Sequence, residues 1–329
     1  MRVAVLSFAH GHAIGYLGYL ASLPGVEVAA SDPDGAAGEA GRGALVAAEL
    51  GATYFDRYEE ALAWGPDAVV VCSENTRHRE LVELAAAAGA AILCEKPLAT
   101  TVADATAMVD AADRAGVTLM VAHPVRFAPS FAALRERVRG GALGDILSIV
   151  GTNNGKIPLD RGWFTDPELS GGGSIVDHVV HCTDLIDALI PERAVRVHAI
   201  SNGILHDSDR VETAGLVTVT YEHGIVATID CSWSQPESAA SWGGLTLEVT
   251  GTRGSMRIAP FAQHVGGYGD DGPIWLPYGT DLDASMIDEF LASVGEGRQA
   301  HPDGPAGLRT TSIMAAALSS AGVGGVISL

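Results

Sequence analysis

Alternation between short apolar runs and helix-spaced segments over the first 123 residues constrains this chain more than any other feature. The runs are "RVAVLSFA" (2–9), "VEVAASD" (26–32), "ATYF" (52–55), "DAVVVCS" (67–73), "AAILCEK" (90–96) and "VTLMVAH" (117–123). Between them lie "AIGYLGYLASL", "GALVAAELGA", "YEEALAW", "HRELVELAAAAGA" and "ATTVADATAMVDAADRAG". Near-continuous apolar strands separated by helices predict a parallel sheet covered on both faces. Sheets of this kind bind ligands at the carboxyl ends of their strands.

After residue 124 the texture changes. A helix in "FAPSFAALRERVRGGALG" is followed by "DILSIVGTNN", a glycine-rich loop and a helix over 173–189. Strand-like runs then succeed one another: "AVRVHAIS", "VETAGLVTVTY", "GIVATIDCSW", "GLTLEVTG" and "SMRIAP". Consecutive strands joined by Gly and Asn/Asp turns predict a large, mostly antiparallel open sheet. Helices return at 281–297 and 305–322. The expected fold class is α/β, with domains at 1–123 and 124–280 and with 281–329 packing back towards the first. A length of 329 residues fits two domains.

The net charge of −20 comes without a basic stripe, which argues against nucleic acid and anionic membrane surfaces as partners. No stretch approaches the roughly 18 uninterrupted apolar residues of a membrane span, and the apolar start is too short for a signal peptide. Cys72, Cys94, Cys182 and Cys231 are scattered, as expected of buried thiols in a reducing compartment. A cytoplasmic location is the expectation.

The first strand–helix turn, "LSFAHGHAIG", stands where a dinucleotide-binding fingerprint belongs. The three glycines of GxGxxG fall on Ser7, Ala9 and His12. Ser7 and Ala9 are small enough for a backbone to approach a phosphate, and His12 offers a ring to phosphate or ribose; an ordinary strand–helix turn is the alternative. Asp32 ends the second strand at a spacing suited to holding the adenosine ribose hydroxyls. An acid there repels a 2′-phosphate and favours NAD over NADP, whereas nearby Arg42 argues the reverse.

Only two of the 20 basic residues are lysines, Lys96 and Lys156. Lys96 sits in "ILCEKPLAT" at the carboxyl end of a strand. There the chain resembles the Gfo/Idh/MocA oxidoreductases. The resemblance is carried by "CSENTRHRELVELAAAAGAAILCEKPLAT" (72–100), "RFAPSFAALRERVRGGALGDI" (126–146) and "GGGSIVDHVVHCTDLIDALI" (171–190). It implies a Rossmann domain, an α/β domain whose open sheet mediates dimers or tetramers, and NAD as cofactor, with NADP as the alternative. The family's Glu-Lys-Pro lysine matches Lys96, and its Asp-x-x-x-His pair matches Asp177 and His181. "SENTRH" departs from the family pattern by Glu74 in place of proline. The implied cofactor contacts are Ser7, Phe8, Ala9, His10, His12, Asp32, Ser73, Asn75, His78, Glu95, Lys96 and Pro97.

The implied reaction is hydride transfer between nicotinamide and a secondary alcohol or ketone of a sugar or cyclitol. Such a reaction needs a base for the hydroxyl proton and a cation beside the developing alkoxide. Asp177 and His181 share a helix face at i and i+4, and an imidazole suits the base role. Lys96 offers a compact charge to the oxygen. Asn153 and Lys156 are expected to form a polar cluster with Asn154 on substrate hydroxyls, the alternative for Lys156 being a solvated loop lysine. Arg126, Trp163 and His178 are further substrate candidates, each with a packing or surface alternative. "DHVVH" offers three potential zinc ligands, and His10, His12 and His123 are others, but successive side chains point about 100° apart around a helix, and no metal is expected. Two other functions stay open: a glycosidase or lyase using NAD for transient oxidation, and a non-catalytic nucleotide sensor.

Overall fold

The computed structural model describes every residue except 36–40, 208–209 and 271. Two compact units are present, one of residues 1–123 and 283–308, the other of residues 124–282 and 309–329.

The first unit is a doubly wound sheet. Its elements are β1 (Arg2–Leu6), α1 (His12–Ser22), β2 (Glu27–Ser31), α2 (Gly43–Glu49), β3 (Thr53–Tyr54), α3 (Tyr58–Ala63), β4 (Ala68–Val71), α4 (His78–Ala87), β5 (Ala91–Cys94), α5 (Val102–Ala115) and β6 (Leu119–Val121). The strand order is β3-β2-β1-β4-β5-β6 and every pairing is parallel. The order reverses beside β1, so the turns after β1 and β4 flank the crevice in which such sheets hold ligands. The inner strands β4 and β5 are buried at every position, as covering both faces requires. Thr101 caps α5 by accepting the Asp104 N–H, and Gly116 ends it in the left-handed conformation.

The second unit is built on α6 (Pro129–Arg139), β7 (Ile146–Gly155), the single turn α7 (Pro167–Ser170), α8 (Ser174–Leu189), β8 (Ala194–Asn202), β9 (Ala214–Tyr221), β10 (Val226–Asp230), β11 (Gly243–Gly251) and β12 (Gly254–Ile258). A hairpin of β13 (His264–Gly269) and β14 (Gly272–Pro277) follows, then α9 (Leu282–Glu296), α10 (Gly304–Val323) and β15 (Ile327–Ser328). The seven-stranded order is β12-β11-β7-β10-β9-β8-β15; only β10 and β7 run parallel. Val179, Val180, Leu185 and Ile186 of α8 pack on Ile149, Val217, Val219, Ala227 and Ile229 of the sheet.

The tail divides between the units. Met286, Ile287 and Phe290 of α9 are buried in the first; Ile313, Met314 and Ala317 of α10 join the core of the second. The hairpin β13–β14 had no strand signal, because "HVGGYGDDGPIWLP" lacks the apolar–polar alternation of a half-buried strand and most of it is exposed.

Candidate functional site

In the first unit the turn after β1 is tight because Ser7 adopts a left-handed backbone, φ 68°. Ser7 stands where the fingerprint has its first glycine, and the strain this costs a non-glycine residue is about 1–2 kcal/mol. The conformation is held by Ser7 N–H donating to the Ser31 carbonyl at 2.8 Å and by Ser7 Oγ accepting the Ala9 N–H at 3.2 Å. Phe8 and Ala9 are buried beneath the turn, and α1 starts without a side-chain cap. The small residue at position 9 and the uncapped helix end fit an anionic diphosphate.

Asp32 directly follows β2, close to where the sequence suggests, and its carboxylate is fully engaged. It accepts the Phe8 N–H at 3.1 Å, the Gly43 N–H at 3.0 Å, and Arg42 through Nε at 3.0 Å and Nη2 at 2.6 Å. Arg42 therefore neutralises the acid expected to reject a 2′-phosphate. Glu74 Oε1 lies 3.8 Å from the same guanidinium, placing a second carboxylate beside it.

Lys96, buried to 5% exposure, follows β5, and its peptide bond to Pro97 is cis. Its backbone N–H donates to Glu95 Oε2 at 3.1 Å. His78 is fully buried at the start of α4, with Nδ1 2.9 Å from the Pro97 carbonyl and Nε2 3.3 Å from that of Ser73. Burial pushes its pKa down, so a neutral ring donates from Nδ1 and ties the turn after β4 to the loop carrying Lys96. Ser73 donates to the Glu74 carbonyl, and Asn75 is buried in the same turn.

Glu95 draws in the first turn from 83 residues away. Its Oε1 lies 2.9 Å from His12 Nδ1 and 3.9 Å from His10 Nδ1. Burial alone would raise the Glu95 pKa, but His10, His12 and Lys96 hold it well below the ordinary carboxylate value. The His12 side chain is 42% exposed, and its Nδ1 faces the buried Glu95 carboxylate. Enclosure lowers the pKa of this ring, but the charge and hydrogen bond of Glu95 raise it further and set the net direction upward.

In the second unit α8 carries Asp177, His178 and His181. Its first turn is fixed by Glu212, whose Oε1 accepts the N–H groups of Gly173 at 2.9 Å and Ile175 at 3.0 Å. Gly173 permits this approach: a Cβ there would lie 1.9 Å from the Glu212 carbonyl oxygen. Asp177 is buried to 5% exposure; its Oδ2 accepts Trp233 Nε1–H at 3.0 Å. His178 Nε2 is also 3.0 Å from Oδ2, outside hydrogen-bond alignment. His178 itself is fully buried, edge-on to Trp242 with ring centroids 5.0 Å apart. His181 lies one turn beyond Asp177 and is half-buried.

Three expectations for the second unit change. Asn153, Asn154 and Lys156 do not form one polar cluster, because both asparagines lie in β7, where successive side chains face opposite sides. Asn153 donates to the His178 carbonyl at 3.2 Å, whereas Asn154 donates to Asp230 and Ser232 on the other face. Lys156 is neither a solvated loop lysine nor an unattached cation: its Nζ donates to the Ala239 carbonyl at 2.7 Å. Arg126 grips Asp184 through Nε at 2.9 Å and Nη2 at 2.6 Å. Trp163 is buried and stacks on Phe164 with centroids 3.9 Å apart.

Residues 25–123 match the NAD-binding Rossmann fold of an oxidoreductase family, and residues 131–257 match the C-terminal domain of the same family. A myo-inositol dehydrogenase of Streptomyces leeuwenhoekii is 31% identical over 242 residues, covering 71% of this chain and 68% of that one. The chain belongs to the Gfo/Idh/MocA family. A second relative, the D-apiose dehydrogenase of Paraburkholderia graminis, is 31% identical over 195 residues, 59% of this chain. The match spans 51% of that enzyme, about half its length. Among solved structures, GenD2 from gentamicin A biosynthesis, in complex with NAD, superposes with a TM-score of 0.88 at 25% identity, covering 100% of this chain and 96% of that one.

Proposed function

We propose that the protein is an NAD-dependent oxidoreductase that interconverts a secondary alcohol and a ketone on a sugar or cyclitol. The observation that carries this reading is Lys96, a buried lysine in Glu-Lys-Pro at the carboxyl end of β5, in a unit matching an NAD-binding Rossmann fold. Relatives named as dehydrogenases of D-apiose and myo-inositol support the substrate class. Bound NAD would accept or return the hydride. Ser7, Phe8, Ala9, His10 and His12 of the first turn, with Asp32, Ser73, Asn75 and the Glu95–Lys96–Pro97 segment, would hold the nucleotide, and His78 keeps that segment in place. With Asp32 already paired to Arg42, NADP remains compatible with the same turn.

Lys96 places a compact positive charge where an alkoxide develops, and an ammonium suits that better than a planar guanidinium. His181 takes the hydroxyl proton. Asp177, oriented by Trp233, accepts a hydrogen bond from a substrate hydroxyl. Arg126, paired to Asp184, supports α8 rather than substrate, while His178 packs edge-on against Trp242 with its ring nitrogens left to a substrate hydroxyl. We also infer a homo-oligomer: Val150, Ile200, Leu216 and Val226 are exposed on the outer face of the seven-stranded sheet, where a second copy would cover them. No helix among the described residues is long and apolar enough to cross a membrane, and a cytoplasmic location fits the reading. Lys96→Arg tests the central assignment. Turnover should fall by about 100-fold or more, a few kcal/mol of transition-state stabilisation, while nucleotide binding measured by calorimetry survives. Near-normal turnover would remove Lys96 from the chemistry.

A further inference from the structure

We propose that His10, His12 and Glu95 form a binding site for one divalent transition-metal ion of the zinc type. This inference rests on the geometry of the first unit alone, in residues that the proposed function also places around the nucleotide, so its test is made without nucleotide. Among the described residues these three make the only group of at least three His, Cys, Asp or Glu side chains whose donor atoms all lie within 4.8 Å of one another. The "DHVVH" residues of α8 do not form such a group.

The separations suit a metal. Bonds of about 2.0–2.1 Å in a tetrahedral arrangement place neighbouring donors roughly 3.3–3.4 Å apart. Glu95 Oε1 is 2.9 Å from His12 Nδ1 and 3.9 Å from His10 Nδ1, so small side-chain rotations bring each nitrogen to that spacing. The His12 backbone N–H donates to His10 Nδ1 at 3.3 Å, so that nitrogen is unprotonated, and a metal would take its lone pair over from this long bond. The Lys96 backbone N–H on Glu95 Oε2 holds the carboxylate in orientation and leaves Oε1 turned to the histidines.

Chemistry selects the class of ion. Two imidazoles and one carboxylate favour zinc, cobalt or iron(II) over magnesium or calcium, which prefer all-oxygen shells. Three protein ligands leave a fourth position, and the exposure of His12 gives an ion and a ligand oxygen a route to it. On binding, the metal replaces the proton shared between His12 and Glu95. The charged neighbours are Lys96, which opposes a cation, and Asp283, which favours it. The buried Glu95 carboxylate faces both rings, 2.9 Å from His12 Nδ1 and 3.9 Å from His10 Nδ1.

The test uses the full chain, stripped with chelator and free of nucleotide, titrated calorimetrically with Zn²⁺ alone and with Mg²⁺ alone. One Zn²⁺ per chain and no Mg²⁺ binding are expected. Co²⁺ substitution should give the intense visible absorption of a four-coordinate site. Glu95→Gln, which keeps the side-chain shape, and His12→Ala at the half-exposed ring should each weaken Zn²⁺ binding at least 10-fold. His223→Ala, at an exposed histidine outside the cluster, should leave it unchanged. Far-ultraviolet circular dichroism establishes that each variant is folded. Absence of Zn²⁺ binding, or stoichiometric binding unaffected by Glu95→Gln and His12→Ala, would overturn the site. Neither result bears on Lys96, whose assignment stands or falls on turnover.

Discussion

Replacing Arg126 with alanine isolates one buried ion pair. Asp184 is fully buried, and Arg126 supplies three bonds to it: Nε to Oδ2 at 2.9 Å, Nη2 to Oδ1 at 2.6 Å and Nη2 to the backbone carbonyl at 3.0 Å. Asp187, 3.9 Å from Nη2, is a second carboxylate beside the guanidinium. Alanine leaves Asp184 ionised and uncompensated in the core, a loss of about 3–5 kcal/mol. Because 12% of the arginine side chain is exposed, water entry should hold the effect near the lower end. For a unit of this size, about 2–4 °C per kcal/mol corresponds to a fall in melting temperature of roughly 6–12 °C. The double variant Arg126→Met with Asp184→Leu removes both charges and should recover most of the loss. Urea unfolding followed by tryptophan fluorescence measures the difference through the midpoint at unchanged slope. A single variant within about 1 kcal/mol of the parent, accompanied by a large rise in KM, would refute this reasoning and return Arg126 to the substrate.

Glu212→Ala should cost about 2–3 kcal/mol in thermal unfolding, since it removes the acceptor for two N–H groups at the start of α8; Glu212→Gln keeps an acceptor and should cost about 1 kcal/mol or less. Ser7→Gly should stay within about 1 kcal/mol of the parent because glycine relieves the left-handed strain, whereas Ser7→Val should lose about 2–3 kcal/mol; equal effects would count against the turn geometry. Burial acts to raise the Asp34 pKa, but Tyr58 and Arg77 hold it below the ordinary value. The stability Asp34 contributes is therefore complete above its unfolded pKa of about 3.9 and lost as pH falls through the folded value. Asp34→Asn should flatten that acid limb in pH-dependent unfolding, and an unchanged limb would dismiss the pair.

The sequence shows the first sheet because strands buried on both faces must be apolar almost throughout, and it shows the place of Lys96 because an apolar run ends there. It marks the turn at Ser7, since the residue occupies a glycine position and takes a glycine-like φ. Long-range pairs leave no such trace. Arg126 and Asp184 are 58 residues apart, and neither has a local pattern naming the other. Glu212 at the head of α8 and Trp233 on Asp177 are hidden for the same reason. The gathering of His10 and His12 on Glu95 had one signal, two histidines in a strand-end turn and an acid ending another parallel strand, and the topology turned it into a cluster. The polar cluster expected at Asn153, Asn154 and Lys156 failed on strand alternation: the two asparagines are adjacent within β7, so their side chains fall on opposite faces.

The most direct test of the account is nicotinamide absorbance during incubation of the full chain with NAD and a panel of sugars and cyclitols. The account predicts net formation of NADH with at least one substrate and near-total loss of that signal in Lys96→Arg. Product appearing with no net change in nicotinamide would point to transient oxidation instead. Tight NAD binding with no product anywhere in the panel would contradict the assignment of an oxidoreductase.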